Sequence, residues 1–200
     1  MNIYPDLLYT LIEYFKKLPG IGERTAERYA LALINLKEEE LEDFADTISR
    51  VKKTLRTCEI CGHLTDSNIC KICTDDDKKK NLICVVEDYK SVFMFEKMGN
   101  FDGVYHVLGG LISPIDGVNP DDLNISSLVK RCKENKNVEL IIALKPTIEG
   151  DTTTLYIKKI LEKEDIRITR LSYGIPMGAE IDYLDVLTLE RALSDRKEVA

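Results

Sequence analysis

The sequence predicts a mixed α/β protein in three parts: a helical N-terminal part, a small cysteine-rich part and a larger part built on a parallel sheet. Apolar residues recur at helical spacing through the first 55 residues. Four of the six cysteines then lie within sixteen residues. After residue 81, short branched apolar runs alternate with helical stretches, which is the order expected of βαβ units.

The N-terminal part is predicted to contain three helices, over about 6–18, 23–36 and 38–55. Pro19 and two glycines interrupt the pattern between the first two helices, because proline cannot continue a helix and glycine permits unusual dihedral angles. The third helix carries one apolar face, made of Leu41, Phe44, Ile48, Val51 and Leu55.

The turn between the first two helices has the form of a helix–hairpin–helix. Its glycines would let backbone N–H groups approach a phosphate, and the following helix N-terminus adds partial positive charge. Such contacts touch the DNA backbone and not the bases, so they predict binding without sequence preference. The alternative is an ordinary helical corner whose glycines only make room. The candidate contacts are Gly20, Gly22, Arg24, Arg28, Lys16 and Lys17.

The cysteine-rich part predicts one structural zinc per chain. Two Cys-x2-Cys pairs, Cys58 with Cys61 and Cys70 with Cys73, are separated by eight residues. Each pair can present two thiolates to a tetrahedral ion, and a site closed by four thiolates has no open position for catalysis. Two disulfides or unrelated buried thiols are the alternative. His63 is predicted to lie on the surface or beside the site.

The α/β part is predicted to contain four buried strands with helices between them. The remaining cysteines, Cys84 and Cys132, fall on a strand and a helix and are predicted to be buried, unreactive thiols. The predicted strands are 82–87, 104–108, 140–144 and 166–171, and the predicted helices are 89–98, 121–135, 152–164 and 184–194.

Acidic residues follow two of these strands. Glu87 ends the first strand, and Glu149 and Asp151 lie in the predicted loop after the third. Ligands of open parallel sheets bind beyond the carboxyl ends of the strands. Three carboxylates there could hold Mg²⁺, offer a negative patch to a protein partner, or simply face solvent. Asp151 could also be the N-cap of the next helix.

Charge and hydropathy exclude two classes of protein. The chain carries 28 Lys and Arg against 35 Asp and Glu, so its net charge of −7 excludes a polybasic nucleic-acid binder. The same charge does not exclude a protein that encircles DNA as a clamp, because residues 1–80 account for only −2 of it, with 13 Lys and Arg against 15 Asp and Glu. No apolar run approaches the roughly 18 residues needed to span a bilayer. The N-terminus lacks the features of a secretory signal, so we expect a cytoplasmic protein with no membrane association.

Six segments resemble the bacterial recombination mediator family RecR, in order along essentially the whole chain. They are LPGIGxRTAxR (18–28), CxxC-x8-CxxC (58–73), VVE (85–87), LGGLISPIDGVNPDDL (108–123), KPTIEGDTTTLYI (145–157) and GIPMGAEIDYLDVLTLERAL (174–193). The resemblance implies a helix–hairpin–helix domain (1–56), a C4 zinc finger (57–76), a Toprim domain (80–173) and a Walker-B-like C-terminal segment (174–200).

The resemblance also implies a function and partners. Members of the family form homo-oligomers, dimers of dimers arranged in a ring. With RecO and RecF they help to load RecA onto gapped or single-stranded DNA coated by single-strand-binding protein. By position, the arginines at 24 and 28 would face double- or single-stranded DNA, and the acids at 87, 149 and 151 would form an acidic patch for RecO. A nucleoid-associated location follows from the same resemblance.

Two hypotheses of different classes therefore stand: a non-enzymatic mediator, and a Mg²⁺-dependent Toprim enzyme acting as a small nuclease or in primase-like phosphoryl transfer. Toprim enzymes carry Asp-x-Asp directly at a strand end, whereas this chain has Glu-Gly-Asp farther on. Lys145 also replaces the small polar residue common in the family. No His or Tyr is set as a nucleophile or base, so we expect no catalytic residue and zinc as the cofactor.

Overall fold

The computed structural model describes residues 3–172, 174–196 and 198. Residues 1, 2, 173, 197, 199 and 200, which belong to the predicted segments 1–56, 80–173 and 174–200, lie outside the described part. The chain divides into two compact units, Met1–Thr54 and Leu55–Ala200. Each helix in the described part is too short or too polar to cross a membrane.

The first unit contains the three predicted helices, α1 (Asp6–Lys16), α2 (Glu23–Ile34) and α3 (Glu38–Thr54). Ile12 of α1 packs against Ala26 and Ala30 of α2, and all three are buried. The small alanine side chains let the two helices approach closely, which fixes the turn between them. The predicted apolar face of α3 forms, but it is exposed within the described residues.

The second unit contains a four-stranded parallel sheet of order β4-β3-β5-β6, preceded by a two-stranded ribbon. The predicted α/β architecture with a parallel sheet is therefore confirmed. Strand β3 is buried on both faces over its second half, as parallel strands covered by helices are, and β5 alternates buried with half-buried residues. In chain order the elements are β1 (Arg56–Thr57), β2 (Leu64–Thr65), α4 (Lys71–Thr74), β3 (Lys79–Val86), α5 (Tyr89–Met98), β4 (Gly103–Val107), α6 (Ile125–Glu134), β5 (Val138–Ala143), α7 (Ile148–Ile160), β6 (Ile166–Arg170) and α8 (Val186–Ser194).

Two helices differ from the prediction at their starts. The segment predicted as one helix over 121–135 begins with a separate 3₁₀ turn, Pro120–Asp122, before α6. The helix predicted over 184–194 begins two residues later than predicted, at Val186, and a separate 3₁₀ turn, Ile181–Tyr183, precedes it. In each case an extended residue, Leu123 or Leu184, ends the short turn.

Helix α7 begins four residues earlier than predicted, at Ile148. Its N-cap is Thr147, whose Oγ1 accepts a hydrogen bond from Gly150 N at 3.2 Å. Gly150 has to be glycine, because a Cβ there would lie 1.9 Å from the Lys145 carbonyl oxygen. Glu149 and Asp151 are therefore in the first helical turn and not in a loop, and the expectation that Asp151 caps the helix is wrong.

Candidate metal centre and nucleic-acid interface

The four predicted cysteines come together as one cluster. Cys58, Cys61, Cys70 and Cys73 place their sulfur atoms within 4.8 Å of one another, and the first three are buried. The Cys61 and Cys70 sulfurs are 3.6 Å apart. A tetrahedral zinc with bonds of roughly 2.3 Å separates its sulfurs by about 3.8 Å, so the cluster fits that ion.

Hydrogen bonds between the cysteine side chains shift their pKa values in opposite directions. Those with Cys61 and Cys73 lower the pKa of the Cys70 thiol, and those with Cys70 and Cys73 raise the pKa of the Cys61 thiol. Cys58 closes the knuckle by donating from its N–H to the His63 carbonyl at 2.7 Å. With four thiolates as ligands the centre is closed, and its role is to hold the chain together.

The cysteine knuckle is attached to the edge of the parallel sheet. Val107, at the end of edge strand β4, donates its N–H to the Cys61 carbonyl at 2.7 Å. Gly62 turns away with φ +73°, and a Cβ there would lie 2.9 Å from the Val107 carbonyl oxygen. Lys80 Nζ donates to the carbonyls of Cys73, at 3.0 Å, and Asp75, which ties the end of the knuckle to β3.

His63 is buried beside the cysteine cluster, so of its two predicted positions the one beside the site is correct and the one at the surface is wrong. Its ring meets the ring of Phe93 on α5 edge to face, with centroids 4.9 Å apart. Burial lowers the pKa of His63, which favours the neutral imidazole. The residue therefore belongs to the packing between the knuckle and α5. Cys84 and Cys132 are buried as predicted, and burial raises the pKa of each thiol.

The turn of the first unit is an open glycine hairpin. Gly20 has φ +79°, a conformation that favours glycine, whereas Gly22 has φ −88°, which any residue can adopt. A Cβ at either position would meet no atom within 4 Å. The fold of the chain itself therefore does not require glycine at position 22. The open space borders the first N–H groups of α2, where a phosphate could approach.

The four cations beside the hairpin differ in their surroundings. Arg24 and Arg28 are exposed on α2, and the Arg28 guanidinium lies 5.5 Å from the Tyr29 ring. Lys17 is also exposed, with its Nζ 4.6 Å from the centre of the Tyr14 ring. Lys16 is held between Glu13 and Glu23, each at 2.8 Å, and these hydrogen bonds raise its pKa. Its charge is thus compensated within the unit, and the two arginines are the stronger candidates for phosphate contacts.

The three predicted acidic residues differ in their surroundings. Glu87 and Asp151 are paired with basic side chains, and Glu149 lies in the first turn of α7. Neighbouring strands β3 and β5 end side by side, with Val86 opposite Ala143, and this register brings Glu87 to Lys145 at 3.0 Å. That hydrogen bond raises the pKa of Lys145. Lys145, whose effect could not be read from the sequence, therefore neutralises the first of the three acids.

Asp151 binds the C-terminal helix. Its carboxylate accepts from Arg191 of α8 at 3.2 Å and lies 3.8 Å from Arg170 at the end of β6. For Glu149, a hydrogen bond with its own backbone N–H and another from Thr147 lower the pKa of the carboxyl group. In the described part of the chain, Glu87, Glu149 and Asp151 do not form a group able to share one metal ion.

Comparison with known families agrees with this geometry. Residues 8–52 match the RecR helix-hairpin-helix model, residues 55–75 the RecR four-cysteine zinc finger model, and residues 174–197 the RecR C-terminal model. Residues 81–172 match a Toprim domain. The chain belongs to the RecR family.

Membership of the RecR family agrees with what the two candidate sites can do. The four-cysteine centre is the RecR zinc finger, and it holds one structural zinc. The glycine hairpin lies in the RecR helix-hairpin-helix region, which points to DNA binding and to a role as a recombination mediator. The comparisons thus support a bound zinc, a Toprim domain and a role in DNA repair and recombination.

Several functional contacts were not predicted from the sequence. Lys80 donates to backbone carbonyls seven and five residues before it, and Arg191 binds Asp151, 40 residues before it, so neither contact follows from a sequence motif. The sequence offered a weak signal for Thr147, a threonine directly before Ile148 that can act as a helix N-cap. The glycine that follows in the first turn masked that signal.

Proposed function

We propose that this RecR-family protein is a non-enzymatic mediator of DNA repair and recombination. It would bind double- and single-stranded DNA without sequence preference as an oligomeric clamp, a dimer or a tetramer ring. The observation that carries the proposal is the open glycine hairpin flanked by Arg24 and Arg28. With RecO and RecF it would promote RecA loading on gapped DNA coated by single-strand-binding protein, in the cytoplasm at the nucleoid.

The net charge of −7 fits a clamp better than a monomeric binder. One hairpin offers two exposed arginines, and few phosphate contacts give weak, salt-sensitive affinity. Several hairpins on one oligomer would add their contacts along the same DNA backbone. Binding should therefore strengthen steeply with the number of hairpins that face the DNA.

The second hypothesis, a Toprim enzyme using Mg²⁺, has weaker support. Glu87 is paired with Lys145, and Asp151 with Arg191, so two of the three carboxylates would have to give up a cation first. We expect the purified protein to leave labelled gapped DNA intact with Mg²⁺ or Mn²⁺. Cleavage or strand transfer that disappears in Glu149→Ala would establish the enzyme and overturn the mediator proposal.

The acidic patch, Glu87, Glu149 and Asp151, is proposed as the RecO-binding surface, with Glu149 as its main contact. Glu149 has no basic partner among the described residues, while the other two acids do. We expect Glu149→Ala to weaken RecO binding by about tenfold, the effect of losing one interfacial contact of ordinary strength. Calorimetry with purified RecO measures it, and oligomeric state and DNA binding should not change.

Glu162→Ala is the matched control for that measurement. Glu162 is an exposed acid just beyond the other end of α7, so its removal changes the net charge equally. Equal RecO affinity of the Glu149 variant and the unaltered protein would return Glu149 to an ordinary solvated position.

A further inference from the structure

The loop between β4 and α6 has a solvent-exposed isoleucine at its tip. Ile115 is 97% exposed, in a tight turn closed by a bridge between Ser113 and Val118. The two backbone hydrogen bonds of that bridge measure 3.0 and 2.9 Å. Ser113 Oγ also donates to Asp116 Oδ2 at 2.6 Å. The tip is therefore held in one shape while its apolar side chain stays in water.

The base of the loop is fixed to α7. Ile112 is buried, and its N–H donates to Thr153 Oγ1 at 2.9 Å. Thr153 is fully buried and donates in turn to the Glu149 carbonyl at 2.7 Å. These bonds place the loop beside the first turn of α7, where Ile148 is 80% exposed.

The surroundings of the tip are acidic. From residue 107 to residue 129 the chain has three acidic residues, Asp116, Asp121 and Asp122, and no Lys, Arg or His. Asp116 and Glu149 are close enough for the charge of Asp116 to oppose the lowering of the Glu149 pKa. This charge repels nucleic-acid phosphates and attracts a basic protein surface.

We propose that Ile115 is the apolar anchor of a protein-docking surface that also includes Asp116 and Glu149. The partner is a protein that offers an apolar socket bordered by lysine or arginine side chains. A side chain held rigidly before binding loses little conformational freedom on docking, and apolar anchors in such sockets dominate interface energies. The inference rests on the proposed function for the role of Glu149 and extends that surface to the loop.

The test compares Ile115→Ser with the unaltered protein in binding to purified RecO and, separately, RecF. An exposed side chain contributes little to folding, so thermal stability, zinc content and DNA binding should not change. We expect about a tenfold loss of affinity for RecO, whose proposed surface includes Glu149, and an unchanged affinity for RecF. Asp116→Asn, which can still accept from Ser113, should flatten the salt dependence of that same binding. Leu155→Ser is the matched control. Leu155 is 66% exposed on α7, beyond the first turn that carries Glu149, and its replacement should leave RecO binding unchanged.

Each outcome decides between the proposals. If the unaltered protein binds RecO and Ile115→Ser binds RecO equally well, the docking role of Ile115 is wrong while the proposed function stands. If the unaltered protein does not bind RecO, both proposals fail. If Ile115→Ser instead changes the oligomeric state in light scattering, the tip contacts a second copy of the chain and the partner proposal is overturned.

Discussion

Replacing Cys58 or Cys70 with serine is expected to remove the zinc and to unfold the knuckle from about residue 55 to residue 80. Structural zinc sites of this kind contribute an apparent free energy of roughly 10 kcal/mol or more at neutral pH, because the ligands are organised only when the ion binds. Metal analysis should fall from one zinc per chain toward zero, and limited proteolysis should open new cleavage sites in this segment.

The loss should extend into the sheet. Cys61 accepts the N–H of Val107, and Gly62 packs against the Val107 carbonyl, so the end of strand β4 depends on an intact knuckle. Hydrogen exchange at β4 should therefore accelerate together with exchange in the knuckle. The hairpin unit, residues 1–54, should keep its helical circular dichroism.

Cys132→Ala is the control for both variants. Cys132 is a buried thiol on α6 outside the knuckle, so its truncation should lower thermal stability without releasing zinc. Less than one equivalent of zinc in carefully prepared unaltered protein would contradict the assignment. So would a Cys58→Ser protein that keeps both its zinc and its resistance to protease.

The double variant Arg24→Ala with Arg28→Ala is expected to bind DNA at least about tenfold more weakly at low salt, on all sequences alike. Both side chains are exposed beside the glycine hairpin, so their removal should not disturb the Ile12, Ala26 and Ala30 core. Losing two phosphate contacts per hairpin should reduce the slope of log affinity against log salt by about 1.8 per hairpin on duplex DNA. Fluorescence anisotropy over a salt series measures both quantities.

Lys158→Ala with Lys159→Ala provides the matched control, because it removes the same charge from exposed positions of α7. If general electrostatic attraction controlled binding, both double variants would weaken it equally. Equal affinity of the arginine variant and the unaltered protein would remove the hairpin from the DNA surface.

The sequence predicted the parts of this fold that depend on local pattern. Helical spacing located α1 to α3, and branched apolar runs located the four sheet strands to within three residues. Cysteine spacing identified the zinc ligands, because two short knuckles need only a short loop to meet. These features are recognisable because neighbouring residues decide them.

Contacts set by strand register were not predictable in the same way. Glu87 meets Lys145 only because β3 and β5 are adjacent and end together, and Asp151 meets Arg191 only because α8 returns to α7. The early start of α7 was hidden for a similar reason. Gly150 breaks helices in isolation, yet the approach of the Lys145 carbonyl requires it there.

We expect the hairpin to be required for loading RecA onto gapped DNA coated by single-strand-binding protein. An assay of RecA loading on that DNA tests this role most directly. The time course of RecA filament formation, measured with RecO present, should shorten when the unaltered protein is added. It should not shorten with the Arg24→Ala, Arg28→Ala variant, whereas the Lys158→Ala, Lys159→Ala control should act normally. Equal acceleration by the arginine variant, or no acceleration by the unaltered protein, would contradict the proposed function.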